Sequence, residues 1–398
     1  MTVAPIYLDY QATTPLDSRA LDAMIPFLTS CFGNPSSPHT LGRQASIAME
    51  SARGQLRSLI GARHDGEIVF TSGATEADHL AVVGTAAALR EHGDHIVTTA
   101  IEHKAVLAAC ELLSADGYRV THVPVDRDGV VNPADIASAM TRRTVLVSVM
   151  HANNEIGSVQ PLREISAITR ERGVLLHADA AQGLGTLPFD VDELGVDLAS
   201  FSAHKVYGPK GSGALYIRRG IPRPVPQLPG GGQEFAMRAG TQNVAGIVGF
   251  GAAAAILRSE RSAETQRIEE LRTELLRRLR AGLPESRVNG SPTQRLVGNI
   301  SITVPGIDAD ELVREMRGLA ISTGSACSSG DSSPSHVLTA IGLSRADARA
   351  TLRISLGRPT TGEHIDRAAE QLIEAISRHL GQAWSAHHPV AARSRSSE

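Results

Sequence analysis

The 398-residue sequence predicts an α/β protein with a mainly parallel central sheet, helices on both faces, and a smaller α+β domain. Three observations lead there. Between about Glu67 and Arg218, short β-branched runs alternate with helix-length segments, the pattern of parallel strands joined by crossover helices. From Leu257 to Leu279 the pattern changes to one long helix of interleaved charges. A hydrophobic content of 42% over this length is enough for a full core.

The strands expected in the first region are Glu67 to Thr71, His95 to Ala100, Val120 to Val125, Thr144 to Met150, Val174 to Ala178, Leu198 to Phe201 and Gly213 to Ile217. In open parallel sheets ligands bind beyond the carboxyl ends of the strands, so the residues after each run are the candidates for chemistry. The mixed charges of the long helix, at i,i+3 and i,i+4, mark a solvated face. Beyond it, strands at Gly298 to Val304 and Thr351 to Ser355 and helices at Ala309 to Arg317 and Gly362 to Leu380 form the second domain, with the N-terminal segment folded back on it. The chain thus divides into a large domain at 15–257, a small domain at 1–14 and 258–384, and a disordered tail at 385–398.

A net charge of -3 and a pI near 6.6 give no electrostatic footprint for direct nucleic-acid binding or for an anionic membrane. The N-terminus lacks the basic and apolar regions of a signal peptide, and the Gly- and Ala-rich stretch Gly246 to Leu257 is too short to span a bilayer. A cytoplasmic protein is expected. Three scattered cysteines, Cys31, Cys110 and Cys327, make neither a disulfide framework nor a zinc pair. Cys110 sits in an apolar helical pattern and Cys31 near a helix end, both as structural thiols. Cys327 stands apart, in the small polar run from Ser322 to Pro334, which has no apolar anchor and should be mobile.

Lysine is nearly absent: Lys104, Lys205 and Lys210 are the only three among 39 basic residues. Arginine replaces lysine on a surface but not as an amine nucleophile, because the guanidinium keeps its proton. Lys205 ends the run Leu198-Ala199-Ser200-Phe201-Ser202-Ala203-His204-Lys205, a strand that delivers an amine to its carboxyl end.

Other strand ends carry complementary groups. After Glu67 to Thr71, the turn Ser72-Gly73-Ala74-Thr75-Glu76 leads into the apolar helix Leu80 to Leu89 and offers backbone N–H groups and a hydroxyl, either as a phosphate cradle or as a plain helix cap. The strand Val174 to Ala178 is followed by Asp179, a carboxylate that needs a cation or donor if buried. It could instead cap a helix or join His177 on a divalent metal, but no third or fourth ligand is evident, and no metal site is assigned. His103 and the segment His151-Ala152-Asn153-Asn154 end two further strands. Together, a cradle, an acid, an amine and an imidazole on one sheet edge are what pyridoxal 5'-phosphate requires. Lys205 condenses with its aldehyde, Asp179 keeps the ring nitrogen protonated, and the cradle takes the phosphate. Arg353, a charge within the apolar run Thr351 to Leu356, could clamp an α-carboxylate or form a buried salt bridge.

These segments resemble the cysteine desulfurases of the class V aminotransferase superfamily, which share the fold-type I architecture of pyridoxal-phosphate-dependent transferases. The matching segments are Tyr7 to Pro15, Gly33 to Ser37, Thr71 to Glu76, Asn153 to Gly157, Ser202 to Lys205, Gly208 to Gly211 and Gly324 to Cys327, in family order. The resemblance implies that His103 stacks on the cofactor ring and assists proton transfer. It implies that Gln182 and Asn154 contact the cofactor oxygen and the substrate side, that Ala74, Thr75, Ser202 and His204 hold the phosphate, and that Arg353 binds the substrate carboxylate. Thr241, in Arg238-Ala239-Gly240-Thr241, would reach the phosphate of a neighbouring subunit, which implies a homodimer. Cys327 would take sulfur from L-cysteine as a persulfide, leaving L-alanine, and pass it to an acceptor protein. Iron-sulfur assembly, tRNA thiolation and DNA phosphorothioation are the uses implied. His79 stands where the family commonly has Asn, and Ser328 and Gly330 where others often have Thr and Ala. A selenocysteine lyase, an ordinary class V aminotransferase and a non-catalytic sulfur carrier are the rival readings.

Overall fold

The computed structural model describes residues 5–324 and 334–387, with side chains through 381. Cys327 and its loop, and the tail from 388, lie outside these residues. In chain order the strands are β1 (Ile6–Tyr7), β2 (Ile68–Thr71), β3 (His95–Thr99), β4 (Arg119–Val123), β5 (Thr144–Ser148), β6 (Leu175–Asp179), β7 (Leu198–Ser202) and β8 (Gly213–Ile217). They continue with β9 (Arg287–Val288), β10 (Asn299–Thr303), β11 (Leu319–Ala320), β12 (Ser322–Thr323) and β13 (Thr351–Ser355).

Seven strands form the central sheet in the order β2-β8-β7-β6-β5-β3-β4. All neighbours are parallel except around β8, which runs antiparallel to both β2 and β7. Because β2 and β7 both oppose β8, they run parallel to each other. The carboxyl ends of β2, β3, β5, β6 and β7 therefore open on one edge. The strands β5, β7 and β8 are buried along their whole length, as continuous apolar runs in a covered sheet should be.

A second sheet, β12-β13-β10-β9, packs its own core from Ile300, Ile302, Leu352 and Ile354 against Leu275, Leu279, Ile365 and Leu372. Ile6 and Leu8 join that core, and β1 pairs in parallel with β11.

Three helices differ from expectation; one, expected to end at Leu380, runs Gly362–His387 and takes in residues 385–387 that were expected in the tail. The long helix runs Val244–Gly282, starting well before Leu257. Its glycines hid it: a Cβ on Gly251 would lie 2.5 Å from the Ala52 Cα, so glycine permits close packing on the helix Thr40–Leu59. Asn243 caps it, its side chain accepting from Gly246 N at 3.0 Å. The helix expected from Leu80 to Leu89 begins at Ala74, widens into a π turn over Leu80–Gly84 and ends at Ala88. His79, half-buried, is the last residue before that turn. Cys110 is fully buried, and burial pushes its thiol up to about 12. Among the described residues no helix is long and apolar enough to cross a membrane.

Candidate active site

Ten of the expected site residues line one cavity of about 500 Å³ at the common strand edge: Ala74, Thr75, His103, Asn154, Asp179, Gln182, Ser202, His204, Lys205 and Arg353. Thr241 does not line it and is exposed, and Cys327 lies outside the described residues.

Each group arrives by a local device. Ser202 is the last residue of β7, and a single 3-10 turn, Ala203–Lys205, carries the lysine past the strand end. The Lys205 Nζ donates to the Gln11 carbonyl at 2.5 Å and to the Ala12 carbonyl at 3.0 Å, so the N-terminal segment holds the amine. Gln182 Nε2 donates to the same Gln11 carbonyl at 3.0 Å. Asp179 closes β6, with Oδ1 accepting from Ala181 N at 3.0 Å. His103 caps the helix Lys104–Ala115, its Nδ1 accepting from Ala105 N at 3.2 Å. That bond places any imidazole proton of the neutral ring on Nε2. Burial, with Lys205 and Lys210 nearby, pulls His204 down to about 4, so it is a neutral donor or acceptor near pH 7.

The cradle residues Ala74 and Thr75 are the first of their helix, and Ser72 N donates to Glu76 at 2.9 Å. Gly213 on β8 makes room for the turn: a Cβ there would lie 2.5 Å from the Gly73 Cα. The fit to a phosphorylated aldehyde cofactor rests on this donor set. The helix-start residues Ala74 and Thr75 and the side chains of Ser72 and Ser202 line the cavity, together with an amine and a strand-end carboxylate.

Arg353, buried on β13, donates from Nη2 to Asp9 Oδ1 at 3.0 Å and from Nη1 to the Asn154 carbonyl at 3.3 Å, while its Nε meets no acceptor. Both sequence readings of this residue meet here, since it is salt-bridged and lines the cavity. The Asp9 Oδ2 accepts from Ser322 Oγ at 2.8 Å.

Sequence reasoning missed several neighbours. Asp9, Gln11, Ser322 and Lys210 line the cavity too. The first two lie in the quoted Tyr7 to Pro15 segment, and the scarcity of lysine was itself a signal for Lys210. Asp78 is fully buried, with neither carboxylate oxygen hydrogen-bonded, and its donor atoms lie within 4.8 Å of those of His103 and Asp179. Burial first, then the Asp179 charge, pushes its carboxyl well up. His177 spends both ring nitrogens on Ser148 and Ser200 hydroxyls, each at 2.9 Å, so it does not join Asp179 as a metal ligand.

The aminotransferase class-V family matches residues 6–368, and the chain belongs to that family. Within it the chain stands among the cysteine desulfurases. It is 48% identical to the cysteine desulfurase IscS of Anaeromyxobacter sp. (strain Fw109-5), over 94% of this chain and 92% of the relative. Its fold superimposes on a solved NifS-like protein with a TM-score of 0.88 at 38% identity, covering 94% of this chain and all of the other. A structure of SspA in complex with cysteine matches at TM-score 0.78 and 39% identity, over 88% of this chain and 98% of the other. The family and fold read from the motifs are borne out.

Proposed function

We propose that this protein uses pyridoxal phosphate to transfer sulfur from L-cysteine to Cys327, releasing L-alanine and leaving a persulfide. The observation that carries the reading is the convergence of an amine (Lys205), a carboxylate (Asp179), an imidazole (His103), the helix-start residues Ala74 and Thr75 and a guanidinium (Arg353) on one cavity. When bound, the cofactor supplies an electron sink for the substrate α-carbon.

The chain's residues would divide the remaining tasks. Lys205 would attach the cofactor, Asp179 would pair with its ring nitrogen, and Ala74, Thr75, Ser202 and His204 would hold its phosphate. Arg353 orients the substrate carboxylate with parallel hydrogen bonds, and Asn154 and Gln182 flank it. His103, with Nδ1 engaged at the helix cap, presents Nε2 to move a proton. The Cys327 sulfur bonds to the substrate sulfur as the substrate's carbon–sulfur bond breaks, and the carbon left behind gains a proton. Chain length permits this: Cys327 is five residues beyond Ser322, which lines the cavity, a reach of at most about 18 Å.

The persulfide then passes to an acceptor protein, for iron-sulfur assembly, tRNA thiolation or DNA phosphorothioation. A homodimer completes the site in this reading. Thr241 is exposed beyond its own cavity, and the helix Ser18–Thr29 and its flank expose Leu21, Ile25, Leu28 and Phe32 at helical spacing. Two of the apolar cores fall on either side of the proposed division at 15–257, one of them built from Ile6, Leu8 and residues 268–376, while a smaller one joins Ile101, Met150 and Ile156 to Val337, Leu338 and Ile341 across it. The reading places the protein in the cytoplasm.

The test is to supply purified, cofactor-saturated protein with L-cysteine and a reductant. A yellow protein that forms alanine and sulfide in equal amounts supports the proposal. A protein that stays colourless, or one that forms alanine from selenocysteine alone, overturns it.

A further inference from the structure

The long helix Val244–Gly282 and the loop from Gly290 to Arg295 enclose a groove of about 620 Å³ that shares no lining residue with the Lys205 cavity. Arg272, Leu276 and Arg280 line it at i, i+4 and i+8 of the helix, and Arg295 enters from the loop. Arg277 lines it as well but is paired with Glu274 at 2.7 Å. That leaves Arg272, Arg280 and Arg295 facing one carboxylate among the lining residues, the exposed Asp128, with Glu269 acting on Arg272 from the helix itself.

Arg295 is the unusual member. It is only 7% exposed, and no carboxylate bonds it. Its Nη2 donates to the Ile156 carbonyl at 2.9 Å, the Asn289 carbonyl at 3.0 Å and Asn299 Oδ1 at 2.9 Å. The Nε meets no acceptor, and neither does the buried Nε of Arg272. Burial, with Arg272 beside it, pulls Arg295 down to about 10. A purely structural role explains the Nη2 bonds, but a neutral amide would make them without the cost of burying a charge. The loop is also preset: Gly290 has φ +82°, and a Cβ there would collide with the Ile156 carbonyl oxygen. A rigid frame thus holds three guanidinium groups that form no salt bridge among the described residues, at a concave surface whose remaining wall is largely apolar, with Leu276, Val288 and Pro292 beside Thr273.

We propose that this groove is a second binding site, for a small molecule carrying a phosphate group on an apolar or aromatic body, as a nucleotide does. Guanidinium groups pair with phosphate oxygens in parallel bonds, and the volume lies within the range of small-ligand sites and well above that of a lone oxyanion. The apolar wall takes the body of the ligand.

The experiment is calorimetric titration of the cofactor-loaded protein, whose own phosphate cradle is then filled, with ATP, inorganic pyrophosphate and adenosine. The proposal expects saturable ATP binding, tighter than that of pyrophosphate, and weakened about tenfold or more in an Arg272→Gln/Arg280→Gln double variant that keeps its yellow colour. As a second measurement on the wild type, ATP should slow modification of Arg272 and Arg280 by phenylglyoxal, mapped by mass spectrometry. No saturable binding, equal affinity in the double variant, or unprotected arginines would overturn the site. Pyrophosphate binding as tight as ATP would overturn the apolar contribution, and adenosine binding as tight as ATP would overturn the phosphate contribution.

Discussion

Arg353 and Asp9, 344 residues apart in the chain, pair at 3.0 Å in the wall of the cavity. Asp9 fixes the guanidinium from one side and the Asn154 carbonyl from another, while Nε is left without an acceptor. These two bonds fix the side chain in the cavity wall, where the proposed function has it bind the substrate carboxylate. Arg353→Gln should raise KM for L-cysteine by about 10- to 100-fold, the size expected for losing a charge-assisted pair, while the cofactor spectrum stays unchanged. Steady-state kinetics checks this, and an unchanged KM would remove Arg353 from substrate binding.

Lys205→Arg should fold normally, because a guanidinium can still donate to the Gln11 and Ala12 carbonyls that hold the lysine. It cannot condense with an aldehyde. The variant should melt near the wild-type temperature, lack the yellow absorption after cofactor addition and form no alanine. Retained colour would move the attachment point to another amine, with Lys210 the first to test.

Asp78 is buried without a hydrogen bond, 3.6 Å from the His177 Nε2 that Ser200 already engages. Burial and the Asp179 charge favour the neutral acid there. Asp78→Asn, a neutral group of the same shape, should therefore leave the melting temperature at pH 7 within about 2 °C of wild type, under roughly 1 kcal/mol. A fall of many degrees would show that the carboxylate is charged and paired.

Four of the buried groups contribute opposing slopes to the pH profile for stability. Burial pushes Glu155 up to about 7 and Glu102 up to about 8, so their contribution is full below about 4.5 and is lost as pH rises through 7 to 8. It pulls His151 down to about 4 and His177 down to about 3, so theirs is full above about 6.5 and is lost as pH falls through 4 to 3. The two pairs oppose each other between about 4.5 and 6.5, which predicts a plateau with shoulders on both sides. Glu155→Gln can keep the hydrogen bond from Ser335, made at 2.5 Å, without the charge. Its melting temperature should decline less steeply above pH 6.5 than that of wild type. An identical decline would mean Glu155 does not titrate there.

Strand-end chemistry was legible in the sequence because the functional residues sit at or just beyond the carboxyl ends of short buried runs, as Asp179 closes β6 and Lys205 ends the turn after β7. Long-range partners were not. Nothing in the Tyr7 to Pro15 segment announces that Asp9 will meet Arg353, or that the Gln11 carbonyl will hold both Lys205 and Gln182. Asp78 falls between the quoted turn Ser72 to Glu76 and the helix expected from Leu80, and only the packing of its helix against β7 shows it as buried. The start of the long helix was obscured because its glycines, poor helix formers locally, serve contacts with another helix.

The central claim is a division of labour in which Lys205 holds the cofactor and Cys327 takes the sulfur. It is tested most directly by comparing wild type with Cys327→Ser for alanine formation from L-cysteine and for protein-bound persulfide, both proteins loaded with cofactor to the same yellow absorbance. The account predicts that Cys327→Ser keeps the colour and loses both products. Alanine formation by Cys327→Ser at the wild-type rate would contradict it.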